Sequence, residues 1–438
     1  MGSYVPTSAT EREEMLRSIG VPTIESLYSS VPGEMLLSRP LNLPCGLSEW
    51  EVQDKVSAIA EKNIVFKTVL RGAGAYRHYI PAIVKSVVNK EQLVTAYTPY
   101  QAEISQGILQ SIFEYQTMIC SLTGMDVSNA SVYDGATAAA ESVAMCMERK
   151  KTKAYISATV NPLYLDVVKT YCYGSGVSLT VIPEKDGKTD AEALKAALAG
   201  DAACFISQQP NFYGLMEDAT ALSEITHGAG AKYVMVCNPI SLGTCKTPAE
   251  YGADVAVGEG QPLGMPMAFG GPYLGFMAAK SQMARKLPGR IVGETVDKEG
   301  KRGFVLTLQA REQHIRREKA SSNICSNQAL CALTAAVYLS AMGEKGLSQA
   351  ASLCTSKAHY LAEQLCTIPG VEMVHEGEFF HEFVTTLPKT DEVLAELEAE
   401  GILGGYPIDK GVLWCATEVV SKAEIDRAVS IVKEVLAR

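Results

Sequence analysis

The sequence predicts an α/β protein: a large domain on a mostly parallel sheet covered by helices on both faces, followed by a smaller α+β domain. Three observations carry this. Between residues 100 and 280, short β-branched runs alternate with segments of helical periodicity. The runs are almost continuously apolar, as strands buried on both faces must be, and a helix between successive runs is what a parallel crossover requires. Beyond residue 325 the order changes to one long helical pattern, short strands and a last helix.

Three regions are expected: an N-terminal helical arm over 1–70, a large domain over 71–325 and a small domain over 326–438. In the arm, Thr10 with Glu13 predicts a capping box for EREEMLRSI, ended by Gly20-Val-Pro22, and prolines 32, 40 and 44 break the next stretch. The link 71-RGAGAYRHYIP-81 is a glycine-rich loop full of aromatics. In the large domain, strands are expected at AYISATV (154), SLTVIP (178), ACFIS (203), YVMVCN (233), DVAVG (254) and YLGFMAA (273), with helices near 102–122, 135–150, 161–173, 190–199 and 218–228. In the small domain, a helix is expected from 326 to 342 and onward, with strands at VEMVHE (371), HEFVTTL (381) and GVLWCATE (411). The last helix is marked by a Ser421–Glu424 capping box and by Ile425, Val429, Val432, Val435 and Leu436 on one face.

Composition narrows the function classes. A net charge of −10 argues against nucleic acid or an anionic membrane as the main partner. No apolar run approaches the roughly 20 residues that span a bilayer. MGSYVPTSATEREEML lacks the basic and apolar regions of a signal peptide, and Thr7 is out of register for N-myristoylation. The 12 cysteines form no C-x-x-C pair and mostly lie in apolar segments, as in AACFIS and YVMVCN. Reduced, buried thiols and a cytoplasmic setting are expected, and the histidines show no zinc-ligand spacing.

A loop-then-strand unit, 258-GEGQPLGMPMAFGGPYLGF-276, on such a sheet resembles the aspartate-aminotransferase-like, fold type I enzymes that use pyridoxal 5′-phosphate. That fold requires a helix N-terminus for the phosphate, a carboxylate facing the pyridine nitrogen, and a lysine for the Schiff base. The corresponding places hold other residues. The helix opening 133-YDGATAAAE is capped by Asp134, whose carboxylate already satisfies its N–H groups and repels a phosphate. Strand YVMVCN ends in Asn238, a neutral amide, and the loop offers Gln261, which is not nucleophilic. Singly these are a helix cap, a turn residue before Pro239 and a loop amide; together, in order on one fold, they read as a degenerate cofactor site. Lys246 and Lys280 are expected to be solvated surface lysines.

Three longer segments, 71-RGAGAYRHYIP-81, 96-AYTPYQAEISQGILQSIFEYQTMICSLTGMDVSNASVYDGATAAAES-142 and 310-AREQHIRREKASSNICSNQAL-330, resemble the glycine cleavage P-proteins, and among them the first (alpha) subunits of the two-subunit kind, glycine dehydrogenase (decarboxylating). The resemblance runs almost end to end. It implies a homologous partner, subunit 2, that keeps the lysine and carries pyridoxal phosphate. It also implies an α2β2 heterotetramer, loss of glycine's carboxylate as CO2, and transfer of the aminomethyl group to the lipoyl arm of the H-protein. This chain then supplies the dead half of a pseudosymmetric pair. Tyr97, Thr98, Tyr100 and Gln101, with Arg77 and His78 on the glycine-rich loop, become candidates for reaching the partner's site, against plain interface packing. In 311-REQHIRREK-319 the adjacent Arg316 and Arg317 point to different faces of a helix and cannot serve one ligand; Arg71 carries no assigned function. Two other readings stay open: a stand-alone pyridoxal-phosphate lyase or aminotransferase using another lysine, and a scaffold without an enzyme partner.

Overall fold

A computed structural model describes residues 6–37, 39–269, 271, 273–320, 322–324 and 327–438, with the backbone alone at Arg311. Gly270 and Pro272 of the Gly-Gly-Pro, and residues 325 and 326, where the second and third expected regions meet, lie outside the described residues. The chain divides into two compact units, Met1–Val65 and Phe66–Arg438.

The first unit holds helices α1 (Ala9–Ser18) and α2 (Glu49–Ala60), neither with a buried residue. The capping box of α1 uses Ser8 and Glu11, not Thr10 and Glu13. Both pairs fit the Ser/Thr-x-x-Glu spacing; the earlier start adds Ala9, the residue that favours helix most, and more backbone bonds. Ser48 and Glu51 cap α2 in the same way.

The second unit is built on seven strands. In chain order they are β1 (Val127–Ser128), β2 (Lys153–Ser157), β3 (Ser178–Ile182), β4 (Ala202–Gln209), β5 (Lys232–Cys237), β6 (Val255–Glu259) and β7 (Gly275–Ala279), arranged β1-β7-β6-β5-β4-β2-β3. All neighbours are parallel except β7, antiparallel to both β6 and β1. Helices α3 (Gln106–Thr123), α4 (Gly135–Cys146), α5 (Pro162–Ser175), α6 (Ala191–Ala197) and α7 (Ala219–Gly228) cover the sheet. Two apolar clusters, one per face, bury residues such as Tyr115, Phe205 and Phe276 on one side and Val132, Ile156 and Met277 on the other. Apart from the two-residue β1, which the apolar alternation did not mark, these are the expected strands and helices, each within a few residues.

Helix α8 (Ala329–Leu365) links this body to a third core; its backbone leaves helical geometry at Gly343 (φ 60°, ψ −179°). Its side chains enter the large-domain core at Ala332, Ala335 and Tyr338 before the break and at Leu347, Ala351 and Cys354 after it, then reach the small core at Ala358, Leu361 and Leu365. Strands β8 (Glu382–Thr385), β9 (Tyr406–Ile408) and β10 (Gly411–Cys415) form an antiparallel sheet ordered β8-β10-β9, covered by α9 (Thr390–Ala399) and α10 (Lys422–Ala437). The Ser421–Glu424 box is present. VEMVHE is not a strand but a segment joined to β8 through a single bridge, Met373 to Thr385. The two-residue strand Thr68–Val69 pairs with Ile402–Leu403, tying the start of this unit to its C-terminal part. The described cysteines are free thiols, among them buried Cys146, Cys204 and Cys237. No described helix is long and apolar enough to cross a membrane.

Candidate functional site

Parallel strands present their carboxyl ends and the following helix N-termini along one edge, where ligands of open α/β sheets bind. Here that edge holds a crevice lined by Tyr76, Asn161, Tyr164, Asn238 and Glu259, with a volume of about 30 Å³. Such a space admits little more than a water molecule.

The closure starts at α4. Asp134 caps it, accepting the Thr137 N–H at 2.7 Å. The decisive residue is one the sequence reading missed, Glu259 at the end of β6. Its Oε2 accepts the Gly135 N–H at 3.0 Å, and its Oε1 accepts those of Gln261 at 2.8 Å and Leu274 at 3.0 Å. A carboxylate of the chain thus occupies the helix end that would otherwise receive a phosphate. Burial raises the Glu259 carboxyl above its ordinary range, against the pull of the three N–H donors. Gly135 is needed here because a Cβ would stand 2.2 Å from the Tyr164 hydroxyl and 2.7 Å from the Glu259 nitrogen. An acidic residue at the carboxyl end of a central strand, two before Gln261, was the available signal.

Gln261 is buried and works as a second backbone. Its Oε1 accepts the Tyr76 N–H at 3.1 Å, while its Nε2 donates to the Tyr76 carbonyl at 2.9 Å and the Met265 carbonyl at 2.8 Å. Only an amide can give and take at one peptide in this way; a lysine ammonium donates alone. The pairing fastens the glycine-rich loop over the crevice. Tyr76 follows it inward, and its hydroxyl donates to Glu382 Oε2 at 2.7 Å while Glu382 Oε1 accepts the Ala73 N–H at 2.6 Å. Burial pushes the Glu382 carboxyl up to about 7. His381 lies against Tyr76 with ring centroids 4.6 Å apart, and burial with His78 nearby drives its imidazole down to about 3.

Asn238 stands at the end of β5. Its Oδ1 accepts the Ile240 N–H at 2.9 Å, which directs Nδ2 to His381 Nε2 at 3.3 Å. The donor assigns the acceptor: Nε2 is unprotonated, the proton sits on Nδ1, and that buried Nδ1 has no partner. Asp134, Asn238 and Gln261 are therefore gathered at one edge, all engaged by the chain itself. With a carboxylate at the helix end, no amine and about 30 Å³ of space, these residues do not fit pyridoxal phosphate.

The other candidates separate. Tyr97 is 82 % exposed, and Thr98, Tyr100 and Gln101 share its surface loop; the Tyr100 hydroxyl accepts from Arg290 Nη2 at 3.0 Å. Arg77 is exposed and donates to the Lys67 carbonyl at 2.6 Å. His78 is buried instead, its Nδ1 2.8 Å from Glu418 Oε2, so it is turned away from any outer surface. The cationic run is not one helix: a turn at Gln313–Arg316 ends where Arg317 takes φ 55°. Lys280 is a correction, partly buried and paired with Asp254 Oδ1 at 3.2 Å, while Lys246 sits over the Tyr251 ring. Neither lines the crevice. Arg71, left without a function, donates to the Gly404 and Gly405 carbonyls.

The chain is similar to known proteins along almost its whole length. The sequence profile of the glycine cleavage system P-protein family matches residues 2–432. A probable glycine dehydrogenase (decarboxylating) subunit 1 from Moorella thermoacetica is 49% identical over 444 residues, covering 99% of this chain and 100% of the relative. A crystal structure of glycine decarboxylase (P-protein) of the glycine cleavage system, in inhibitor-bound form, aligns with a TM-score of 0.93 at 42% identity, over 99% of this chain and 100% of that one. An alanine–glyoxylate aminotransferase from a Nostoc species aligns with a TM-score of 0.58 at 16% identity, over 92% of this chain and 98% of that one, a likeness of fold alone. The expected aminotransferase-like, fold type I architecture is thereby met. Matched by the profile along almost its whole length, this chain belongs to the glycine cleavage system P-protein family.

Proposed function

We propose that the chain is the first subunit of glycine dehydrogenase (decarboxylating), the one that does not hold the cofactor. The observation that carries this is the self-filled crevice: Glu259 takes the N–H groups at the start of α4, and Gln261 stands where the amine is required. Pyridoxal phosphate, held by a lysine-bearing subunit 2, supplies the electron sink for loss of glycine's carboxylate as CO2. The aminomethyl group then passes to the lipoyl arm of the H-protein, and the subunits assemble as an α2β2 heterotetramer. The task of this chain is to wall and orient. Tyr97, Thr98, Tyr100 and Gln101, with Arg77, offer hydroxyls, an amide and a cation on exposed loops that can complete a neighbouring site. His78 leaves that set because it is committed to Glu418. The setting is a reducing cytoplasm.

The decisive measurement is the absorption spectrum of the chain with pyridoxal phosphate, before and after adding the lysine-bearing homologue, alongside glycine decarboxylation. The expected result is no borohydride-reducible adduct and no CO2 release until both chains are present. Turnover by this chain alone, with pyridoxal attached to it, overturns the proposal. Tyr97→Phe and Tyr100→Phe in the reconstituted enzyme test the cross-subunit role, which is lost if the kinetics of both match wild type.

A further inference from the structure

Where the glycine-rich loop meets the small domain, three side chains of different chemistry converge. His78 comes from the loop, Cys354 from the second half of α8, and Glu418 from the segment after β10. His78 Nδ1 donates to Glu418 Oε2 at 2.8 Å, and the Cys354 thiol donates to the same oxygen at 3.2 Å. The nitrogen, the sulfur and the oxygen all lie within 4.8 Å of one another. The cluster is enclosed: the His78 side chain is 2 % exposed and that of Glu418 8 %, while Cys354 is fully buried.

No permanent cation balances this carboxylate. Among the described residues Glu418 pairs with no lysine or arginine, and Lys357 donates to its main-chain carbonyl instead. A carboxylate taken out of water without such a partner is costly. Its place is nevertheless fixed. The other oxygen, Oε1, accepts the Tyr79 N–H at 2.6 Å, and beside it the Thr417 hydroxyl donates to the Arg77 carbonyl at 2.6 Å. Outer bonds of this kind orient a ligating carboxylate. His78 Nε2 is buried without a partner among the described residues, so all that the ring offers its surroundings passes through Nδ1.

We infer that His78, Cys354 and Glu418 form a site for a zinc ion, with water as the fourth ligand. Imidazole nitrogen, thiolate and carboxylate are the ligand types that zinc takes, and two anions with a divalent ion give zero net charge, as burial demands. Around tetrahedral zinc such atoms stand roughly 3.3–3.5 Å apart. The cluster is a few tenths of an ångström tighter, as it must be where protons hold the place of the ion. On binding, Cys354 Sγ loses its proton to solvent, the imidazole exchanges its Nδ1 proton for one on Nε2, and Glu418 gives a lone pair without losing a proton. The ligands are 340 and 64 residues apart, so no short histidine–cysteine spacing marks them. The consequence is mechanical: the ion rivets the glycine-rich loop, which roofs the crevice, to α8 and to the small domain. The inference stands whether or not the chain is the subunit proposed above.

The test uses the full chain, produced in zinc-supplemented medium and dialysed against a weak chelator. Elemental analysis should find one zinc per chain. The cobalt(II)-substituted chain should show four-coordinate visible bands together with a thiolate-to-metal charge-transfer band. Cys354→Ser keeps the size and the hydrogen bond to Glu418 yet removes the sulfur, and His78→Gln removes the imidazole. Each should weaken zinc binding by about a hundredfold or more, since even an outer partner is worth roughly ten- to a hundredfold. Cys354→Ser should also abolish the charge-transfer band. Zinc should raise the melting temperature of wild type and leave both variants unmoved, while their metal-free melting temperatures report on the fold itself. No zinc retained by wild type, a cobalt spectrum without thiolate charge transfer, or zinc binding unchanged in Cys354→Ser overturns the inference. So does zinc that disappears with Cys45→Ser and Cys366→Ser, which assigns it to the exposed thiols as an adventitious ion only.

Discussion

Two helix ends in this molecule carry the same chemistry and are treated in opposite ways. At α4 the chain brings its own carboxylates, Asp134 and Glu259, so that the N–H groups are satisfied before any ligand arrives. At α8 the residue in the capping position, Gln328, makes no such bond, and a cavity of about 270 Å³ lined by residues that include Arg290, Asn327 and Ala329 adjoins it. A helix N-terminus is thus not a site by virtue of its dipole; what decides is whether the fold supplies the counter-charge itself. The first end has become structure, while the second is left without a side-chain cap from Gln328.

The contrast can be broken most severely at Gln261. Gln261→Lys deprives the Tyr76 N–H of its acceptor and buries an ammonium, with an expected loss of about 3 kcal/mol in urea unfolding. It should still form no borohydride-reducible adduct with pyridoxal phosphate, because Glu259 and the cramped crevice remain. Ready labelling of residue 261 would show that the closed end is open after all.

Glu382, under the same loop, sharpens the comparison through pH. Its carboxyl is held at about 7 in the fold against an ordinary 4.5, so the folded chain binds the proton more tightly than the unfolded one. Stability from this group is therefore full below about 4.5 and is lost as pH rises to about 7, by up to roughly 3 kcal/mol. Glu382→Gln should flatten that decline in unfolding midpoints taken across the range. His381, held neutral down to about 3, acts with the opposite sign, losing its contribution as pH falls below 6.5. A Glu382→Gln profile as steep as wild type would remove the assignment.

Replacing Glu259 by Gln leaves one of the three N–H donors facing an amide nitrogen, and about 2 kcal/mol of stability should go. The smallest effect belongs to the open face. Tyr97→Phe, at a side chain 82 % exposed, should change stability by less than about 0.5 kcal/mol, whatever it does to the assembled enzyme. A larger loss would mean that Tyr97 is already packed as tightly as the crevice residues are.

Much of the sheet was legible because burial on both faces forces continuous apolar runs such as YVMVCN, and because Pro and Gly mark their ends. The positions of Asp134, Asn238 and Gln261 followed from the order of elements. Their partners did not. Glu259 faces Gly135 across 124 residues of sequence, and the mate of Gln261 is a peptide 185 residues away, separations that no local pattern encodes. Thr10 with Glu13 misled because two overlapping boxes satisfy the same spacing and helix length settled the choice. VEMVHE misled because β propensity measures fit to a neighbour, and only one residue there finds one. Arg290 was passed over since nothing in LPGRIVG distinguishes a surface arginine from a buried one.

Gly343 gives the long helix an elbow. Ahead of it Ala332, Ala335 and Tyr338 pack in the large core; behind it Leu347, Ala351 and Cys354 still do, and from Ala358 the rod packs in the small core. At that residue φ of 60° disfavours a side chain, so the bend calls for glycine. One bent helix thereby contributes side chains to both cores.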